Sequence, residues 1–254
     1  MPLILVTNDD GISSPGIKML AKVLRSAGEV YVVAPETEQS AVAHALTLHR
    51  PLKFARVGKN TFYINGTPTD CVIISVNKIL PRKPDILVSG INNGGNLGDD
   101  VTYSGTVAAA IEGTLLGIPS IAVSLVTSHV INGRNGKRLN FNVAANFAKK
   151  LVDKVLRQGL PDDTLLNVNV PNRETIKGTA FTKQGKRVYD NAIHEHSDPR
   201  GRKCYWIGGG EPQWASGENT DFDAIYKGYI SVTPVHLDLT NYNALDYIKR
   251  KWRV

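Results

Sequence analysis

Four short runs of Val, Ile and Leu recur along the first half of the chain, with helical segments between them: "LILVT", "VYVVAP", "PDILVSGI" and "PSIAVSLV". A strand with one wet face alternates apolar and polar residues, and these runs do not. Both of their faces must be covered, as in a parallel sheet held between two layers of helices. The intervening segments supply those layers. "SSPGIKMLAKVLRSAG" reads as a helix with a serine cap and Pro15 in its first turn. "TDCVIISVNKIL" and the small-residue segment "SGTVAAAIEGTLLG" read as two more. The expected class is α/β, with a mostly parallel sheet and helices on both faces.

Residues 43–68 interrupt the alternation and suggest a hairpin or antiparallel extension. "NFNVAANFAKKLVDKVLRQG" is a clear amphipathic helix and "TLLNVNVP" a further strand. Past residue 178 short strands alternate with polar turns, and "GYISVTPVHLDLT" and a helix in "NALDYIKRKW" close the chain. This divides the 254 residues into a core over 1–177 and a C-terminal extension over 178–254 that belong to one domain overall. The two cysteines, Cys71 and Cys204, lie far apart in no metal-binding spacing, which suits a reducing compartment. The opening "MPLILVTNDDG" lacks a basic leader and its apolar run is too short to span a membrane, so a cytoplasmic protein with no membrane partner is expected. The net charge of +7 favours anionic partners. No run of basic residues interleaved with aromatics accompanies it, so no stable nucleic-acid partner is expected.

In open α/β sheets ligands bind beyond the carboxyl ends of the strands. Three polar loops follow three of the strands: "TNDDG", "APETEQSAVAH" and "SGINNGGNLGDD". Asp9 and Asp10 are adjacent, and two neighbouring carboxylates repel unless a cation or a shared proton holds them. A hard divalent ion takes oxygen ligands, and Ser40 and Asn92 in the other loops carry them. The plainer alternative is that Asp9 caps the following helix and Asp10 is solvated. Ser104, Gly105 and Thr106 stand at a helix start, where free amides attract phosphate, or where a serine merely caps. His44, just past the Ser40 loop, is a candidate substrate contact or an ordinary surface histidine. There is no GxSxG elbow and no HExxH, and "SGINNGGNLG" is not a GxGxxG loop. A response-regulator receiver would need an acceptor aspartate where "PDILVSGIN" has Ser89 and Asn92. A haloacid-dehalogenase phosphatase would need DxD, and a zinc deacetylase a histidine before the acids.

The segments "ILVTNDDGISSPGI", "VYVVAPETEQSAVAHALTL", "GTPTDCV", "PDILVSGINNGGNLGDDVTYSGTVAAAIEG", "LLNVNVP", "DPRGRKCYWIGG" and "TDFDAIYKGYISVTPVHLDLT" together resemble the SurE family of metal-dependent nucleotidases, nearly end to end. Cys204 departs from the family's pattern, in which an aromatic or other residue is expected, with little expected consequence for catalysis. The resemblance implies a Rossmann-like three-layer core and a C-terminal β-hairpin arm exchanged between subunits of a homodimer or homotetramer. It implies hydrolysis of nucleoside monophosphates, with polyphosphate as an extra substrate. It also implies one divalent ion per subunit, Mg or Mn, with Ca as a crystal substitute. Carried onto this chain, the metal ligands are Asp9, Asp10, Ser40 and Asn92. Asn8, Asn96 and the Ser104–Thr106 turn fall in segments lining the family's site, and His44 is grouped with them. Water attacking phosphorus in line, with Asp9 or Asp10 taking its proton, is the expected chemistry. A nucleotide- or RNA-end-binding module without turnover is the competing class.

Overall fold

The computed structural model describes residues 1–127, 139–188, 193–207 and 213–252. β1 (Leu3–Thr7), α1 (Pro15–Leu24) and β2 (Glu29–Pro35) open the chain, and β3 (Phe54–Gly58) and β4 (Thr61–Ile64) form the expected hairpin. Then follow α2 (Pro68–Ile74), β5 (Ile86–Asn93), α3 (Gly105–Leu115), β6 (Ser120–Val126), α4 (Phe141–Gln158) and β7 (Thr164–Pro171). The second half adds β8 (Thr179–Phe181), β9 (Arg187–Val188), β10 (Ile193–Ser197), β11 (Lys203–Ile207), β12 (Gln213–Trp214), α5 (Asp221–Lys227), β13 (Ile230–His236) and α6 (Tyr242–Lys251).

Nine strands make one sheet in the order β3-β4-β2-β1-β5-β6-β7-β13-β8. From β4 to β7 every neighbouring pair is parallel. The chain works outward from β1 in one direction through β2 and in the other through β5. The order therefore reverses between β1 and β5, where an open α/β sheet leaves a crevice for ligand.

All five residues of β1 are buried, and alternate side chains serve opposite layers. Ile4 and Val6 pack with Ile17, Leu20 and Leu24 of α1 and with Ala148 and Val152 of α4. Leu5 packs with Val72 of α2 and Val107 of α3 on the other face. Fully burying each such side chain is worth roughly 1.5–3 kcal/mol. The core thus anchors the strand ends that carry the rim loops. α2 starts at a capping box: Thr67 Oγ1 accepts from Asp70 N at 3.1 Å, and Asp70 Oδ2 accepts from Thr67 N at 2.8 Å. The apolar segment read as a single helix changes at Ser75 into one π-helical turn, Ser75–Ile79.

The segment after residue 178 splits in two. β8 and β13 return to the main sheet, β13 lying antiparallel on β7. β10 and β11 pair only with each other, and every residue of both is exposed. α6 buries none of its residues either. Among the described residues no helix is long and apolar enough to cross a membrane.

Candidate functional site

The turn after β1 is built by Asn8. Its side chain is fully buried, and Nδ2 donates to Gly11 O at 3.0 Å and to Ser14 Oγ at 2.8 Å. Asn8 thus shapes the loop and does not line the cleft. This fold-back lets two consecutive residues serve one site, which a continuing strand would forbid. Asp9 is only 5% exposed, and its Oδ1 accepts the Thr106 hydroxyl. Asp10 is half-buried, and its Oδ2 accepts Asn93 N at 3.2 Å.

A cleft of about 480 Å³ opens here, lined among others by Asp9, Asp10, Ser40, Asn92, Asn96 and Ser104. The three rim loops therefore meet as their positions after β1, β2 and β5 predict. Ser40 Oγ donates to Glu38 Oε1 at 2.6 Å, and Asn92 Nδ2 donates to Gly94 O at 3.0 Å. In both cases hydrogens are used within the protein and the oxygen lone pairs suit a cation. The register of β5 on β6 slips between Gly90 and Asn92, and such an irregularity re-aims the side chains at a strand end.

The start of α3 is partly committed to the protein itself. Ser104 Oγ accepts Val107 N at 3.1 Å as an N-cap while remaining on the cleft wall. Thr106 is fully buried and serves Asp9. Gly105 allows the contact, because a Cβ there would lie 2.9 Å from Asp9 Cβ. His44 lies outside the cleft wall, with Nε2 at 2.8 Å from Glu112 Oε2 on α3.

Burial raises the carboxyl of Asp9 above the usual range, against the opposing pull of the Thr106 hydroxyl and nearby amides. Burial, and then the charge of Asp9, push Asp10 up to about 6, against the hydrogen bond from Asn93. No described residue forms an ion pair with either acid. Among the described residues no group of three His, Cys, Asp or Glu side chains could hold a metal ion. The donors on hand are two carboxylates, a hydroxyl and an amide oxygen, which fit a hard divalent ion and not a soft one.

Several supporting residues escaped the sequence reading. Asn96 is held through its main chain: its N donates to Asn169 Oδ1 at 2.9 Å, and its O accepts Asn167 Nδ2 at 2.8 Å and Asn169 Nδ2 at 2.9 Å. Its own Nδ2 donates to Ser124 Oγ at 2.8 Å. The signal was present in "NVNVP", where two asparagines two residues apart share one face of a buried strand. Tyr103 and Arg187 also line the cleft, and nothing local marked them out.

The family model described as Survival protein SurE matches residues 4–191. The chain is 55% identical over 249 residues to the 5'-nucleotidase SurE of Geotalea uraniireducens (strain Rf4), covering 97% of this chain and 98% of that one. It is 55% identical over 248 residues to the 5'-nucleotidase SurE of Geobacter sulfurreducens, covering 97% and 92%. The crystal structure of the Sure protein from Aquifex aeolicus superposes with a TM-score of 0.85 at 46% identity, over 98% of this chain and 99% of that chain.

Proposed function

The chain belongs to the SurE family, and from that premise we propose that it is a divalent-metal-dependent phosphomonoesterase that converts nucleoside monophosphates to nucleoside and phosphate. One observation carries the reading. Asp9 and Asp10 converge with Ser40 and Asn92 on one cleft at the β1–β5 reversal, with no cationic side chain paired to either acid among the described residues.

Asp9, Asp10, Ser40 and Asn92 would hold one ion per subunit, Mg or Mn. Such an ion supplies positive charge to offset the charge that develops on the phosphoryl group, and it makes water a better nucleophile. The chain's own groups do the rest. Thr106 fixes Asp9, and Asn93 fixes Oδ2 of Asp10. Asp10 is the less buried acid, and its Oδ1 is the oxygen that Asn93 leaves free for the ion. Ser104 and Asn96 stand on the wall where the substrate phosphate is oriented. No covalent phospho-enzyme forms along this route.

The exposed hairpin β10–β11 and helix α6, which buries none of its residues, support assembly into a homodimer or homotetramer by arm exchange. Tyr205 and Ile207 on one face of β11 and Trp206 on the other are 58%, 95% and 70% exposed, apolar surface that favours a partner. Both cysteines are free, which supports a reducing cytoplasm.

The test is phosphate release from nucleoside 5'- and 3'-monophosphates and from polyphosphate, with EDTA and then with Mg or Mn restored. Release that EDTA abolishes and metal rescues is the expected result. No release with any metal sinks the reading and leaves a binding module.

A further inference from the structure

The substrate in this reading is a phosphate dianion, yet the cleft that must take it is acidic. Asp9, Asp10, Glu38 and Asp100 all stand on its wall. Among the described residues Arg187 is the one cationic side chain on that wall. It arrives from the chain's second half, at the start of β9, and three contacts bring it there. Asp221 is fully buried, and its carboxylate accepts Gly98 N at 2.8 Å and Gly185 N at 2.9 Å, joining the rim loop after β5 to the segment that leads into Arg187. Arg187 N donates to Asp99 Oδ2 at 2.9 Å. The Arg187 guanidinium then pairs with Asp100, both side chains remaining partly exposed to the cleft. Gly98 permits the docking: its φ is +52°, and a Cβ there would lie 2.7 Å from Trp214 and 2.9 Å from Gly185 O.

A buried carboxylate stapled to two backbone amides from segments far apart in sequence is a costly way to close a loop unless it positions something. What it positions is a guanidinium, whose planar fork suits phosphate oxygens. We propose that Arg187 binds the phosphate of the substrate, with Asp221 as its positioning residue and Asp100 as the anion that the phosphate displaces from it. The proposal rests on the phosphomonoesterase reading for the identity of the substrate, but the phosphate site it describes can be tested without turnover.

The experiment measures inorganic phosphate binding to the Mn-loaded protein by calorimetry, alongside KM and kcat for a nucleoside monophosphate. The variants are Arg187→Gln, Arg187→Lys and Asp100→Asn. Arg187→Gln is expected to weaken phosphate binding and raise KM by between about 10- and 100-fold, the range of a lost charge-assisted hydrogen bond. Arg187→Lys should fall between it and the parent, because a point charge replaces a fork. Mn affinity should stay within about threefold throughout, since Arg187 is not a metal ligand. Asp100→Asn should keep phosphate affinity or tighten it, because it removes a competing anion and leaves the cation. Equal losses in Asp100→Asn and Arg187→Gln would assign the pair to holding the loop and overturn the proposal. So would phosphate binding that is unchanged in Arg187→Gln. If Arg187-dependent phosphate binding persists in a protein that hydrolyses no monoester, the phosphatase reading fails and the site stands.

Discussion

Asp10 Oδ2 accepts the backbone N–H of Asn93 at 3.2 Å, tying the loop after β1 to the end of β5 across the crevice between them. The contact orients one of two adjacent carboxylates toward a cleft that also holds Ser40 and Asn92. It also leaves the like charges of Asp9 and Asp10 close together, with no ion pair to either acid among the described residues.

Asp10→Asn keeps the shape and the acceptor for Asn93 but deletes a charge. Phosphate release at saturating metal should fall by at least about 100-fold, with the far-ultraviolet spectrum and melting temperature retained. Turnover close to that of the parent would show that Asp10 is not a ligand.

The raised carboxyl of Asp10 sets a pH dependence whose sign follows from linkage. In the metal-free protein it titrates near 6 when folded, against about 4 when unfolded. The folded state therefore binds more protons between those values, and stability falls as pH rises through them. Screening of this half-exposed group limits the loss to on the order of 1 kcal/mol. Urea melts across that range should show the decline, shallower in Asp10→Asn. Divalent-ion affinity should run the other way and weaken below about pH 6, where protons compete for the ligands.

Gly105→Ala places a methyl 2.9 Å from Asp9 Cβ, against the start of a helix that cannot easily move. Overpacking of this kind costs about 1–3 kcal/mol. The expected result is a lowered melting temperature and divalent-ion affinity weakened by about tenfold or more, read by calorimetry. Unchanged affinity would mean that Asp9 can shift without loss.

Asn169→Ala removes both the acceptor for Asn96 N and one donor to Asn96 O. Unsatisfied buried groups cost about 1–3 kcal/mol each. Unfolding free energy should drop by that order, and activity should fall with it as the rim loop loosens. Asn169→Asp, which keeps the acceptor but turns a buried carboxylate oxygen toward Asn96 O, should destabilise at least as much as Asn169→Ala.

Ile207→Asp and Trp206→Asp place charges on the exposed hairpin. Light scattering should give a smaller assembly than the parent's at equal concentration, with β1–β7 and their helices intact by circular dichroism. A parent that is itself monomeric would refute arm exchange.

Much of this molecule was legible from local pattern. Continuous apolar runs such as "LILVT" demand cover on both faces, and the alternation of strand and helix then dictates a parallel sheet with its loops on one rim. Asp9, Asp10 and Ser40 could be picked out because they follow the ends of β1 and β2, and Asn92 because it stands one residue before the end of β5. Tertiary structure alone decided what surrounds them. That Thr106 is spent on Asp9, that Asn167 and Asn169 clamp Asn96, that His44 turns to Glu112, that Asp221 holds Gly98 and that Arg187 reaches Asp100 all depend on contacts 68 to 123 residues apart. The same holds for β13, whose sequence announced a strand but whose place beside β7 was set by which edge of the sheet remained open. Side-chain periodicity is a property of a few consecutive residues, whereas a hydrogen-bond partner is chosen by the packing of the whole sheet.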